Sequence, residues 1–481
     1  MNVMNKAGAS KAGASASLLV RNALVLTLDP QLGDRPGCDI RVEDGRIAEV
    51  GTGLSGDGAE VIDAAGMIAI PGLIDSHTHM WQGPLKGQGA GQWGFADYQK
   101  TVFSLRGAVS PADMKDGTFA AGVEMLDNGI TTALDFCHNV MSPEHALQGI
   151  EGHARTGQRV VFAYGMLGAQ ESLAADQPWK LAQVRELHAS VDRRGALMRL
   201  ALALGSLEYT GLKLFAREVE LAQELGMVMT FHQNPPGQIR ELAAAGLLCR
   251  GMLPVHANLC TDEELQQLAA VSAAISFTVE GEFGGGRAMD IVGRAHRAGV
   301  LPTLGIDIPS RVALDLFGQM RLTFHVMRAE EAAAERRVGR WPLVRRPGSP
   351  FTTPRHMLEY VTVNAAQALG TALARTYEAM TEGPEAKAYA AKHYVFTPDG
   401  IYQLVQPGPG AASVRPSHRA GEQTAQCRGR LPLAARQFRP ERKAAGPAGA
   451  ANLHESRFAP VAHLRHQPPE AAAERHARAV P

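Results

Sequence analysis

Gly72-Leu73-Ile74-Asp75-Ser76-His77-Thr78-His79 is an apolar run that ends in two histidines one residue apart. A β-strand sends alternate side chains to opposite faces, so His77 and His79 share a face and can converge on one ion. The pair alone is a weak signal, because a chain with 17 histidines in 481 residues holds such a pair by chance about as often as not. Its setting gives it weight. Apolar β-type runs recur down the chain, eight in all, at Leu73–His79, Thr131–Cys137, Arg159–Met166, Leu197–Gly205, Met227–Gln233, Met252–Asn258, Ala273–Glu280 and Leu301–Ile308. Helical stretches separate most of these runs. Several open on good caps, at Ser110-Pro111-Ala112-Asp113, Ser142-Pro143 and Thr261-Asp262-Glu263-Glu264. Eight near-continuous apolar strands alternating with amphipathic helices predict an α/β fold of the (β/α)8 TIM-barrel type over residues 73–370. A doubly wound sheet is the competing arrangement. The count of eight, and the polar residues at strand ends where barrels build their sites, favour the barrel.

Outward from the barrel the pattern changes. Residues 1–17 are small and polar and are expected to be flexible. Residues 18–72 carry short strand-like runs at Leu18–Leu28, Asp39–Val42, Arg46–Val50, Val61–Ala64 and Met67–Ile70, which predict a small N-terminal β-sandwich module. The Glu43-Asp44-Gly45 turn marks a hairpin there, since glycine accepts the positive φ of a tight turn. Two insertions interrupt the barrel, Met80–Val109 with Trp81, Gln82 and Trp93, and the basic stretch Arg336–Pro350. Residues 371–481 read as an atypical tail, expected to be poorly ordered. From Gly400 onward there are 10 prolines and no sustained period of 2 or 3.6.

With 48 Lys+Arg against 48 Asp+Glu the formal charge is zero, which argues against binding nucleic acid or a membrane surface through bulk charge. That total is a sum of unlike parts: residues 400–481 hold 12 basic and 5 acidic residues, so the rest of the chain is mildly acidic. Hydrophobic residues at 45% are ample for a core. Five scattered cysteines without CxxC spacing exclude a disulfide framework or a cysteine-built metal site. No run of 18 apolar residues occurs, and no secretory leader is read, so the cytoplasm is the expected compartment. The expected partner is a small-molecule substrate. Whether the chain forms a homo-oligomer is open.

Polar residues close three further runs. His232 ends the fifth, His256 the sixth and Asp307 the eighth. Four histidines and one aspartate at one end of a barrel's strands point to a metal centre. Imidazoles with one carboxylate suit Zn²⁺, with Fe²⁺ or Mn²⁺ as alternatives. No lysine ends the fourth run, so a bridging modified lysine is excluded there and one divalent metal is expected rather than two.

As a set, these residues resemble a known family. The run Ile70–His79, then His232, His256-Ala257-Asn258-Leu259-Cys260-Thr261-Asp262-Glu263-Glu264, Leu304-Gly305-Ile306-Asp307 and Val363-Asn364-Ala365-Ala366 resemble the amidohydrolase superfamily over residues 18–370. The nearest branch holds cytosine deaminase, guanine deaminase and s-triazine hydrolase. The resemblance implies that His77, His79, His232 and Asp307 hold one metal, that Asp307 passes a proton and that His256 meets the substrate or the attacking water. The implied reaction is metal-dependent hydrolysis of a C–N bond in a nitrogen heterocycle.

Two departures qualify this. The branch carries His-x-x-Glu on the fifth strand, but here Pro235 occupies the glutamate's place in His232-Gln233-Asn234-Pro235. Glu280 and Glu282, after the seventh run, are candidate replacements; solvated loop carboxylates are the plain alternative. The second departure is the missing family-like strand after Gly370, which a divergent tail or a shifted reading frame near codon 370 would each explain. Trp81, Gln82, His138 and Asn139 are candidate substrate contacts, with loop packing as the alternative. Gly284-Gly285-Gly286-Arg287 lacks phosphate-loop spacing and reads as a loop on the active face. Hydrolysis of a C–Cl or amide bond, or a metal-free, inactive binding or assembly protein, are the competing functions.

Overall fold

The computed structural model describes residues 17–43, 46–89, 91, 94–168, 176–191, 197–340, 352–370, 394–397 and 400–405. Residues 1–16, the Asp44-Gly45 turn, Trp93 and most of the expected tail lie outside them.

The first five strands are β1 (Ser17–Leu26), β2 (Asp34–Glu43), β3 (Arg46–Gly51), β4 (Ala59–Asp63) and β5 (Ile68–Pro71). β1 pairs antiparallel with β2 and parallel with both β4 and β5. β2 and β3 form the expected hairpin. Leu18, Val20, Ala23 and Val25 face a small core with Ile40 and Val42. The alternation shifts phase between Val20 and Ala23, where the register slips and Asn22 adopts φ 61°. This bulge is held by Asp39 Oδ1, which accepts from Asn22 N at 3.0 Å.

The eight barrel strands follow: β6 (Leu73–Thr78), β7 (Ile130–Cys137), β8 (Arg159–Gly165), β9 (Met198–Ala203), β10 (Met229–Gln233), β11 (Met252–His256), β12 (Ala274–Phe277) and β13 (Leu301–Leu304). They pair in sequence order in one parallel sheet. Every residue of β6, β7 and β8 is buried, as a sheet covered on both faces requires. The ends meet at a Thr78–Asp307 bridge, with Asp307 N donating to His77 O at 2.9 Å and His79 N to Asp307 O at 2.8 Å. A Cβ at Gly305 would fall 2.7 Å from His77 O, so only glycine lets the two segments come this close. The arrangement is the expected barrel, closed on itself.

The helix Val363–Ala368 covers the end of the barrel remote from the histidines. Ala365, Ala366 and Leu369 pack with Ile74, Leu134, Val161 and Leu253, and Asn364 Nδ2 donates to Pro302 O at 3.0 Å. The capping boxes at Ser110–Asp113 and Thr261–Glu264 form. Ser142 instead pairs through Oγ with His145 Nδ1 at 2.8 Å.

Beyond Gly370, two short strands differ from the expectation of a tail that does not return. β14 (Tyr394–Thr397) and β15 (Gly400–Val405) form a hairpin, and β15 pairs antiparallel with β5. They join the small sheet in the order β14-β15-β5-β1-β2-β3. That sheet curls until β14 meets β2 and β3, so one continuous sheet supplies both layers of the expected sandwich. Among the described residues, no helix is long and apolar enough to cross a membrane.

Candidate metal centre and active site

The strand-ending polar residues converge at one end of the barrel. His77, His79, His232 and Asp307 each offer a ligand atom, and these atoms lie within 4.8 Å of one another. His77 Nε2 and His79 Nε2 are each 3.3 Å from Asp307 Oδ1. The His77 ring lies 4.8 Å from that of His79 and 5.0 Å from that of His232.

The surroundings aim these groups. His79 Nδ1–H donates to Phe136 O at 2.8 Å, which fixes the tautomer and leaves Nε2 free to face the cluster. Asp135 Oδ1 accepts from Met80 N at 3.0 Å, and its Oδ2 accepts from the buried His153 Nε2 at 2.8 Å, pinning the turn behind His79. Asp75 Oδ1 accepts from His77 N at 2.8 Å. Burial drives the Asp75 carboxyl well above the usual range.

Whether the cluster fits a metal can be tested on His77. It is fully buried, yet neither ring nitrogen has a hydrogen-bond partner. Buried polar groups are rarely left unpaired without a reason, and an ion among four donors supplies one. Burial pushes His77 down to about 4. Burial, followed by the neighbouring imidazoles, drives His232 well below its usual value. Neutral imidazoles are the form that ligates metal. At Asp307 burial alone would raise the carboxyl, but His77 and His79 override it and hold it well below the usual range. Three imidazoles and one carboxylate are a donor set that suits a divalent ion.

His256 stands beside the cluster, its ring 5.5 Å from that of His232. Its Nδ1–H donates to Glu282 Oε1 at 2.9 Å, so Nε2 is the nitrogen left for the cavity. Glu282 is buried and engaged at both oxygens. Thr278 N donates to Oε1 at 3.0 Å and Asn258 Nδ2 to Oε2 at 3.1 Å. His256 and Asp307 adopt φ of 72° and 70°. Such strain at non-glycine residues gathers at functional sites.

The cavity over this cluster is lined by His79, His138, His232, His256 and Asp307, with Tyr98, Phe103, Glu208, Asn234, Glu282, Arg287 and Arg311 around them. His138 stacks on His79, with centroids 4.0 Å apart and planes 3° apart. Trp81 Nε1 donates to His138 Nδ1 at 3.0 Å, and Gln82 Nε2 donates to Tyr98 Oη at 2.6 Å. Trp81 and Gln82 are therefore buried behind the wall that His138 and Tyr98 present. Asn139 faces away, its Nδ2 3.4 Å from Met114 Sδ. Arg106, which burial pushes down to about 10, donates to His138 O at 2.6 Å and fixes this wall.

Glu280 and Glu282 do not end a strand. They lie on a short helix, Val279–Gly284, because the Glu282 carboxylate folds back to cap Thr278 N. Glu280 is turned toward Gln319, which donates to its Oε2 at 3.4 Å, and does not line the cavity. Sequence reading passed over Tyr98, Arg311 and Asn234. Tyr98 lies on the short helix Phe95–Thr101 and Arg311 in a turn, neither with a distinguishing pattern. Asn234 adjoins the displaced glutamate position, and its buried Oδ1 has no partner.

Residues 68–374 match the model of the amidohydrolase family. The chain is 25% identical over 373 residues to a 5′-deoxyadenosine deaminase of Methanosarcina acetivorans, covering 74% of this chain and 81% of that protein. It is 28% identical over 309 residues to a 5-methylthioadenosine/S-adenosylhomocysteine deaminase of Natronomonas pharaonis, covering 61% and 70%. Among solved structures, atrazine chlorohydrolase from Arthrobacter aurescens complexed with zinc superposes with a TM-score of 0.63 at 19% identity, over 80% of this chain and 94% of that one. Guanine deaminase from C. acetobutylicum superposes with a TM-score of 0.62 at 15% identity, over 76% and 88%.

Proposed function

This chain belongs to the amidohydrolase family, as a metal-dependent hydrolase of carbon–nitrogen bonds other than peptide bonds, and from there we propose that it releases ammonia from an amino-substituted purine or similar nitrogen heterocycle. The observation that carries the reading is the four-donor cluster at the cavity, with Nδ1 of the buried His77 unpaired and its Nε2 facing Asp307. The deaminase relatives support the purine class.

His77, His79, His232 and Asp307 would hold one divalent metal, zinc by the donor set and by the zinc-bound structural neighbour. When bound, it supplies Lewis acidity and lowers the pKa of a coordinated water to about 7. Asp307 is the base on this reading. Its neighbours keep it ionised, and it faces the cavity where a proton can pass from water to the leaving nitrogen. His256 presents Nε2 to the substrate, and Glu282 behind it fixes the ring through the Nδ1 hydrogen bond. That pair stands where a proton could be handed to a ring nitrogen, the task the family's missing glutamate performs, and Glu282 thus serves by positioning His256. His138 and Tyr98 form the wall against which a flat ring packs. Trp81 and Gln82 act by holding that wall.

A second reading, displacement of chloride from a chlorinated heterocycle, is favoured by Pro235. Without a glutamate there, a leaving group that needs no proton is the easier one to expel.

Metal-loaded protein offered aminopurine nucleosides, aminopyrimidines, aminotriazines and chlorotriazines separates these. Ammonia release supports the first reading and chloride release the second. Neither product, at one metal per chain, would overturn both.

A further inference from the structure

Two cationic groups of the cavity take no part in that chemistry. Arg287 and Arg311 both line it, both are half-buried, and neither forms an ion pair among the described residues. Each carboxylate nearby is already engaged: Asp307 with the histidines, Glu282 with His256, and the exposed Glu208 as acceptor from Gln238 Nε2 at 2.9 Å. A half-buried guanidinium without a counter-charge has lost part of its hydration, which an anion in the cavity would offset.

The segment Gly284-Gly285-Gly286-Arg287 builds this feature. A Cβ at Gly284 would lie 3.0 Å from Arg311 Nη2, so the Arg311 guanidinium lies close over this segment. Arg287 follows at the loop's end and donates one hydrogen bond, from Nη1 to Asn258 Oδ1 at 3.1 Å. Asn258 in turn donates to Glu282. Arg287 is thus linked through two side chains to the histidine facing the substrate, and the rest of its fork remains open.

We propose that Arg287 and Arg311 form an anion-binding rim over the metal cluster, and that the substrate is a heterocycle bearing a carboxylate or phosphate arm away from the bond that is cleaved. Guanidinium forks match both anions bidentately, and a cavity wall strengthens the pairing. The proposal rests on the heterocycle hydrolase reading for the other end of the substrate.

The test is calorimetric binding to the metal-loaded protein of three probes with one ring system: neutral 5′-deoxyadenosine, adenosine 5′-carboxylic acid and adenosine 5′-monophosphate. At least one anion is expected to bind tenfold or more tighter than the neutral compound, and the stronger of the two identifies the arm. In Arg311→Gln and Arg287→Gln that preference should shrink to within about threefold, while Arg297→Gln, outside the cavity, keeps it. Failure of both anions to exceed the neutral compound overturns the proposal, as does a preference that survives in the double variant. Ammonia release judges the underlying reading separately. Release from the neutral compound without anion preference removes the rim alone; anion preference without release from any probe removes the reaction alone.

Discussion

His256 Nδ1 and Glu282 Oε1 lie 2.9 Å apart, joining the end of β11 to the short helix after β12, and the carboxylate's remaining bonds come from Thr278 and Asn258. Glu280, two residues away, turns from the cavity to Gln319. Two glutamates of one helix therefore have opposite fates, and substitution should tell them apart. Glu282→Gln should lower kcat by about 10²–10⁴-fold, the usual worth of a proton-transfer group. Glu280→Gln should change kcat by less than about threefold on the same scale. Steady-state kinetics on an ammonia-releasing substrate measures both. Equal effects would place the proton path elsewhere.

The ligand set makes a claim about metal content as well as rate. His77→Ala and Asp307→Ala should each bring bound metal from one per chain to less than about a tenth, since a ligand must be present and deprotonated to hold the ion. Elemental analysis of the purified variants is the measurement. Asn139→Ala, whose side chain faces Met114, should retain full metal. Loss of metal there, or retention in His77→Ala, would redraw the site.

Much of this was legible in the chain. The eight apolar runs marked the barrel because strands covered on both faces must be apolar throughout, and the residues closing them marked the site because strand ends face it. Strand boundaries were harder to read. Thr278-Val279-Glu280 continues an apolar, β-branched pattern, but the Glu282 carboxylate captures Thr278 N and turns the chain into helix. Leu301–Ile308 stops as a strand at Leu304, before Asp307 adopts its positive φ. Such side-chain-to-backbone captures depend on contacts that periodicity does not encode. The same holds for Trp81, which reads as a substrate contact but is committed to His138, and for Arg311, which has no neighbours in sequence to mark it.

The closure of the barrel can be probed without touching a ligand. Gly305 lies against His77, and a methyl group there must displace backbone. Gly305→Ala should destabilise the protein by about 1–3 kcal/mol through overpacking and weaken metal retention together. Denaturant unfolding paired with metal analysis tests it. A stability loss with unchanged metal affinity would show that the seam and the site are independent.

Lys180 offers a stability handle away from the chemistry. It is buried, donating from Nζ to Gly165 O at 2.9 Å and Leu167 O at 2.7 Å. Burial, reinforced by Arg106, presses its ammonium from 10.5 down to about 7. Above pH 7 the folded chain has released this proton while the unfolded chain keeps it, so stability should rise with pH toward 10 from this group. Lys180→Met should lack that part of the rise between about pH 7.5 and 9.5. This window lies above the range of the buried Glu218, which burial raises only to about 7. Urea midpoints across the window measure it, and parallel profiles for the two proteins would refute it.

The bridge between Thr78 and Asp307 spans 229 residues of sequence. On the ribosome, the histidines of β6 are made among the first and the aspartate among the last of the barrel's parts. No nascent intermediate short of the eighth strand can hold the complete donor set, however well its helices have packed. Among the pairings between barrel strands, the one that closes the longest loop is therefore the one that completes the donor set. The chain has no functional half-barrel along its route, and competence for catalysis arrives together with topological closure.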